Sequence, residues 1–511
     1  MSVTPPPRPS VLETRQTGVL LHPTSLPGSF GIGDLGPEAR RFAGWLARAG
    51  VRLWQILPLS PPHGVVPYSS WAALAGHPHL VSLEDLRDDG LLEPAELEGP
   101  SFPEGTVDFA RAPRFKLEHL DLAVDRLLGG RHPLREELLA FRARAAWVED
   151  VGLFAALRDA HRGAPWWRWD EGVRARRPEA LAEARRALAP AIERAVAQQF
   201  LFERQWSALR RHCADLGIAL LGDVPIYVAH DGVDVWANQA LFQLDPGGAL
   251  PAVSGAPPDE FTATGQRWGH PLYAWDRMAE DGYAWWRARL ARALEQADCV
   301  RIDHFRALSA YWAIPGEAAS PREGRWVPGP GLAFFDVVRA AMGPLPLCAE
   351  DLGAIDDDVV RLRDDAGVPG MRILHYAFGE GDDNRHLPHH HPRRCLAYPG
   401  NHDNDTTVGW WEKLDRGARA HARRYLGAAG AEIAWALNDA ALGSRADVAV
   451  LQMQDVLGLP GAARMNDPAA YEKGQAHRNW SWRLHPGQAS DEAAARLHRA
   501  SGSSGRLAPA A

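Results

Sequence analysis

The sequence predicts an α/β protein closed into a (β/α)8 TIM barrel, and three observations carry that prediction. Eight short apolar runs of strand length recur along the chain. Helical patterns separate most of them, which is the grammar of a parallel sheet. Acidic residues sit at or just past the ends of several runs, on the face where the loops of such a barrel build a site. Two long spacers add a large, mostly helical insertion and a smaller, loop-rich insertion on the C-terminal face.

Residues 1–17 are polar and Pro-rich, without an apolar core of signal-peptide length, and read as a disordered leader to a single domain over 18–500. Gly18–Pro23 is a strand buried on both faces. A helix starts near Pro37, where Pro and Glu suit a first turn, places Phe42, Trp45 and Leu46 on one side, and stops at Gly50. Val51–Leu59 is the second run. The helical insertion follows over about 60–215, with periodic stretches at Leu134–Arg162 and Glu179–Gly217, the latter broken at Pro190. Ile218–Val228 is the third run. The second insertion, about 229–285, contains a Gly/Pro-rich excursion from Asp245 to His270 that reads as a mobile loop, then a helix with Trp285 and Trp286. Cys299–Phe305, Pro346–Leu352, Met371–Phe378, Cys395–Asn401 and Asp447–Leu457 complete the eight. Residues 501–511, small and polar, read as a disordered tail.

A net charge of −8 and a pI near 6.2 give no attraction toward phosphate backbones or anionic membranes, which excludes nucleic acid and membrane surfaces as partners. No run approaches membrane-spanning length. Cys213, Cys299, Cys348 and Cys395 lie far apart with no CxxC pair, so they read as reduced core thiols of a cytoplasmic protein. Twenty tryptophans suit sugar faces, yet they suit an ordinary core better.

Three motifs have bland readings that win. Gly31-Ile-Gly-Asp-Leu-Gly36 matches GxGxxG, but a long loop separates it from its strand and no acidic residue ends the next one, so it is not a dinucleotide fingerprint. His386, His389, His390 and His391 share one proline-flanked loop and read as surface rather than metal ligands. Pro165–Asp170, with three tryptophans, reads as packing within the helical insertion.

The carboxylates accumulate differently. Asp223, Asp303 and Glu350 with Asp351 end three of the runs and Asp403 with Asp405 follow a fourth, and a barrel gathers all those ends on one face. In Cys299–Arg306, Arg301 and Asp303 stand two apart and share a face, where the arginine holds the aspartate ionised. Paired-carboxylate chemistry is the expectation.

The ordered motifs LLHPTSLPGSFGIGDLG, WQILPLSPP, GDVPIYVAHDGVDVWAN, PPDEFTATGQRWG, VRIDHF, AEDLG, PGMRILHYAF, GNHDNDTT, LQMQDVLGL, ARMN and NWSWRL, from Gly18 to Leu484, resemble the amylomaltases, the 4-alpha-glucanotransferases or disproportionating enzymes. The resemblance implies a retaining double displacement on alpha-1,4-glucans, with maltooligosaccharides or amylose as donor and acceptor and with no metal or organic cofactor. It implies Asp303 as nucleophile, Glu350 as acid/base and Asp403 as the stabilising carboxylate. Arg301, His304 and His402 would flank the glucose ring at the cleavage point, with Tyr68, Asp223 and Asp351 lining the same pocket. Gln266 and Trp268 would belong to a mobile loop over the acceptor channel, and Asn466 to the floor. Nucleophile and acid/base of a retaining pair stand about 5 to 5.5 Å apart. Ionised Asp303 and Asp403 would keep Glu350 protonated until it acts.

Some positions depart from the family's pattern: Val65 and Val66 before Pro-Tyr, His77 and His270 within Gly-His-Pro, Ala307 after His-Phe-Arg, and Asn401 before His-Asp. With the three carboxylates intact, the expectation is retained activity with altered donor or acceptor length preference. A glucan hydrolase on the same scaffold and a non-catalytic glucan-binding protein are the alternatives.

Overall fold

The computed structural model describes residues 11–507 except 259–261, 263, 380, 429, 473 and 475. Each of the eight apolar runs overlaps a strand: β1 (Gln16–Leu20), β2 (Leu53–Gln55), β3 (Ala219–Val224), β6 (Cys299–Ile302), β9 (Leu347–Ala349), β10 (Gly370–Ile373), β11 (Cys395–Tyr398) and β12 (Val448–Gln452). All pair in parallel, in the order β10-β11-β12-β1-β2-β3-β6-β9. The sheet's two edges meet where the Ala349 N–H donates to the Pro369 carbonyl at 2.9 Å, so the order closes into a barrel. The strands are buried along nearly their whole length because helices cover the outside and large side chains fill the inside. Tyr398 on β11, for example, donates across the interior to Gln55 on β2 at 2.9 Å. The strands stop short of the apolar runs because residues such as Ile56, Leu57 and Ile226 lie buried in loops beyond the strand ends.

The spacer after β2 is helical, and its last helix, Ala189–Asp215, begins with Pro190 in its first turn and leads into β3. Two glutamines on that helix act as backbone mimics. Gln199 accepts from the Gly76 N–H at 2.7 Å and donates to its carbonyl at 2.9 Å, and Gln205 does the same to Ser82 at 2.7 and 3.0 Å. A buried Lys116–Asp34 ion pair at 2.6 Å ties the insertion to the loop before the first helix, Pro37–Arg48. The three tryptophans of Pro165–Asp170 are mainly packing: Trp166 and Trp169 are buried.

Three expectations are corrected. The Gly/Pro-rich excursion is not merely a loop, because β4 (Ala252–Ala256) and β5 (Gln266–Pro271) pair with β7 (Ala310–Pro315) and β8 (Arg325–Pro328) in an antiparallel sheet ordered β5-β4-β7-β8. Half of that sheet lies beyond β6, so no local pattern announces it. The supposed leader and tail are ordered where described. Leu12 is buried and β1 starts at Gln16, while the last helix runs Asp491–Ser503 and Arg506 is fully buried. Its guanidinium donates to the carbonyls of Gln16, Leu442, Ser444, Ala446 and Asp447 at 2.7 to 3.3 Å. Residues 1–10 and 508–511 lie outside the described residues. Finally, His386 and His391 are buried, not surface: His386 Nδ1 accepts from the Ile373 N–H at 3.1 Å and His391 Nε2 meets the His386 carbonyl at 2.9 Å.

No helix among the described residues is long and apolar enough to cross a membrane. The four cysteines are free and buried.

Candidate active site

A cavity of about 670 Å³ opens at the C-terminal ends of the barrel strands, and Asp303, Glu350 and Asp403 all line it. Strand register explains the meeting. Asp223 pairs with Arg301 across β3 and β6, and Arg301 with Cys348 across β6 and β9, so the residues just past these strands emerge side by side.

Arg301 is the hub. It donates to both oxygens of Asp223 at 2.7 and 2.8 Å and forms an ion pair with Asp303 Oδ1 at 2.8 Å, with its side chain almost wholly buried. The shared face inferred for Arg301 and Asp303 is thus the geometry found. The Tyr68 hydroxyl donates to Asp223 Oδ2 at 2.6 Å and lies 2.9 Å from His402 Nε2, on which its ring stacks. His402 in turn stands 3.3 Å from Asp403 Oδ2. Asp403 Oδ1 accepts from Asn466 Nδ2 at 2.7 Å, and its backbone N–H donates to Asn401 Oδ1 at 3.0 Å. One polar chain therefore joins two of the carboxylates through Arg301, Asp223, Tyr68 and His402.

Glu350 is held differently, by backbone alone. Its Oε2 accepts from the His304 N–H at 2.8 Å and its Oε1 from the Leu352 N–H at 2.9 Å. His304 sits at φ 49°, a left-handed conformation uncommon for a residue with a side chain, and its ring packs edge-to-face on Trp268 at 4.7 Å. Trp268 Nε1 donates to Gln266 Oε1 at 3.0 Å, and both residues of β5 line the cavity.

Electrostatics separates the two central acids. Burial pushes Asp303 up to about 6, with Arg301 opposing and Asp223 and Asp403 adding to the rise. Glu350 is pushed up to about 8, first by burial and then by the charge of Asp303, with Arg301 opposing. The repulsion expected from Asp303 is present, that expected from Asp403 is not among the leading causes, and desolvation is the largest of them. Burial lowers His304 to about 3 and lowers His402 as well, so both rings are neutral near pH 7. At neutral pH these two central acids offer a carboxylate, Asp303, and a carboxylic acid, Glu350, to the same cavity.

Not every anticipated residue reaches the cavity. Asp351 is fully buried with its oxygens turned into the barrel wall, where they accept from the Met371 N–H at 2.6 Å, Arg363 Nη1 at 2.6 Å and Arg372 Nη1 at 3.5 Å. Gly370 is needed beside it, since a Cβ there would come within 2.5 Å of Asp351 Oδ2. Asp351 is a structural residue of the β9–β10 seam, not a pocket residue. Asp405 is likewise structural, paired with Lys413. Asp223 and His402 stand behind the cavity wall, in contact with Arg301, Tyr68 and Asp403.

Among the departures from the family's pattern, Val66, His270 and Asn401 line this cavity. Val65 and His77 instead line a neighbouring one of about 240 Å³, and Ala307 is buried. Sequence reasoning missed Arg306, Trp326 and Trp480 in the catalytic cavity. Trp480 lies in NWSWRL, which carried the resemblance but no chemistry of its own. Gly31–Gly36 supports no phosphate cradle: a Cβ on Gly33 would meet the Pro23 carbonyl oxygen at 2.2 Å. Among the described residues no group of three His, Cys, Asp or Glu side chains is arranged to hold a metal.

Comparison with known proteins follows the same line. A glycoside hydrolase 77 family model, described as 4-alpha-glucanotransferase, matches residues 21–489. A 4-alpha-glucanotransferase of Thermus thermophilus is 45% identical over 504 residues, covering 96% of this chain and 99% of that protein. A chloroplastic/amyloplastic 4-alpha-glucanotransferase of Arabidopsis thaliana is 44% identical over 483 residues, covering 94% of this chain and 83% of its own. The solved amylomaltase from Streptococcus agalactiae in complex with acarbose superposes with a TM-score of 0.92 at 34% identity, covering 97% of this chain and all of that one. With these matches spanning a barrel whose mouth holds an ionised and a protonated carboxyl group, the chain belongs to the 4-alpha-glucanotransferase family.

Proposed function

We propose that this 4-alpha-glucanotransferase divides its work among the residues as follows. Asp303, ionised, attacks the anomeric carbon of an alpha-1,4-glucan donor, and Glu350, protonated, gives its proton to the departing glycosidic oxygen. Glu350, now a base, takes the proton of an acceptor's 4-hydroxyl, which attacks the glycosyl-Asp303 ester and restores the configuration. Arg301 holds Asp303 charged and aimed. Asp403, fixed by Asn466 and Asn401, faces the developing positive charge on the ring. His304, His402 and Tyr68 shape the subsite for the reacting glucose, and Gln266 and Trp268 cover the acceptor side, where exclusion of water favours transfer over hydrolysis.

The carrying observation is the separation of two neighbouring carboxyl groups to about 6 and about 8, linked across strands by the His304 N–H. Donor and acceptor are maltooligosaccharides or amylose, and the buried, free thiols support work in the reducing cytoplasm. Incubation with maltotriose tests the whole: transfer gives glucose and a ladder of longer chains, both abolished in Asp303→Asn. A profile of shorter products alone would overturn it.

A further inference from the structure

Few large apolar side chains are strongly exposed among the described residues, and two of them, Tyr471 and Trp326, line the catalytic cavity, Trp326 at 39% exposure. It lies on β8, directly across the ladder from Trp312 on β7. Both neighbours that orient its ring are themselves fixed. Trp312 meets it at 5.0 Å and 69° and is anchored by a 2.8 Å bond from Nε1 to the Pro321 carbonyl. The Arg306 guanidinium lies 3.6 Å from the ring centroid, its side chain buried and held by the carbonyls of Ala310 and Ala354 and by Asp356. A cation pressed on a ring fixes its plane. An exposed, immobilised indole beside an active site is preorganised for a partner with an apolar face and polar edges, and a pyranose is such a partner.

Its position gives the side of the cavity. Glu350 donates its proton to the oxygen of the leaving portion, so the wall leading away from Glu350 faces the leaving and acceptor chains. That wall runs through Leu352, Gly353 and Ala354, whose carbonyl receives Arg306, and on to Trp326. Trp326 is thus reached past Leu352, Gly353 and Ala354 and not beside Glu350 itself.

We propose that Trp326, backed by Arg306, is the stacking platform for a glucose residue of the acceptor glucan beyond the first acceptor unit, and so sets the preferred acceptor length. This rests on the acid/base assignment of Glu350.

The test uses amylose as donor and radiolabelled glucose, maltose, maltotriose and maltotetraose as acceptors. Trp326→Ala raises the acceptor KM for maltotetraose about tenfold, with the KM for glucose unchanged within twofold, and Trp326→Phe restores most of the difference. Equal change for glucose and maltotetraose, or no change for either, overturns the platform. Glu350→Gln, run beside it, tests the parent assignment separately: full turnover in that variant removes the acid/base reading, and the acceptor-side placement with it. Unfolding temperatures of the Trp326 variants identify any general loss of fold, which lowers turnover with all acceptors equally and counts against the platform.

Discussion

Glu350 and Asp351 are neighbours in sequence, both acids at the end of one strand, yet they inhabit opposite chemical worlds. Asp351 turns into the wall and finds two arginines and a backbone N–H. Glu350 turns into the cavity, has two backbone donors and no cation of its own, and rises to about 8. One acid is committed to the fold and the other to the chemistry, and the partner each finds decides which.

Substitutions that exchange these roles break the comparison most sharply. Glu350→Gln is expected to lower kcat about 10²–10⁴-fold, the usual worth of a general acid/base, while leaving the protein folded; glucose release from maltotriose measures it. Asp351→Ala should do the reverse. Removing one side of a buried ion pair costs about 3–5 kcal/mol, read by denaturant unfolding, whereas kcat of the folded fraction stays within a few-fold.

The pH dependence sharpens the same contrast. With Asp303 active when ionised and Glu350 active when protonated, kcat/KM should rise through about 6, fall through about 8 and peak between them. A profile without the alkaline limb would remove Glu350 as the acid. Stability follows the raised folded-state value: protonated Glu350 is favoured below its unfolded value near 4.5, and that contribution is lost as pH rises through about 8. The unfolding temperature of Glu350→Gln relative to the parent should therefore climb between those values and level off above them. The smallest effect is expected from Asn401→Ala, which removes a single hydrogen bond to the Asp403 N–H, worth about 1 kcal/mol; a few-fold loss of kcat at unchanged acceptor KM is the expected result.

That the sequence points both Glu350 and Asp351 to the pocket shows how far it can be read. Strand ends were legible because an apolar run signals burial on both faces, and the barrel then brings Asp223, Asp303, Glu350 and Asp403 to one end whatever their loops do. Which way a side chain turns after a strand ends depends on neighbours from distant segments. The seat of Asp351 is made by Arg363, Arg372 and the close approach of Gly370, none visible from AEDLG alone. The β4–β5–β7–β8 sheet escaped for the same reason: its strands come from both sides of β6, and local periodicity carries no record of that pairing. The order of residues 11–17 and 501–507 escaped because Arg506 earns its place by reaching backbone carbonyls, which have no signature in sequence.

That arginine has a consequence for how the chain is made. β1 lies between β12 and β2, and Arg506, 490 residues further along the chain, caps the Gln16 carbonyl beside it, so the first barrel strand in chain order is completed by segments made long after it. Synthesis at about 5–20 residues per second leaves an open sheet edge exposed for tens of seconds. Until β12 has been made, that edge is the part of the nascent ring most exposed to aggregation, and replacing Arg506 would leave the Gln16 carbonyl beside it without its cap.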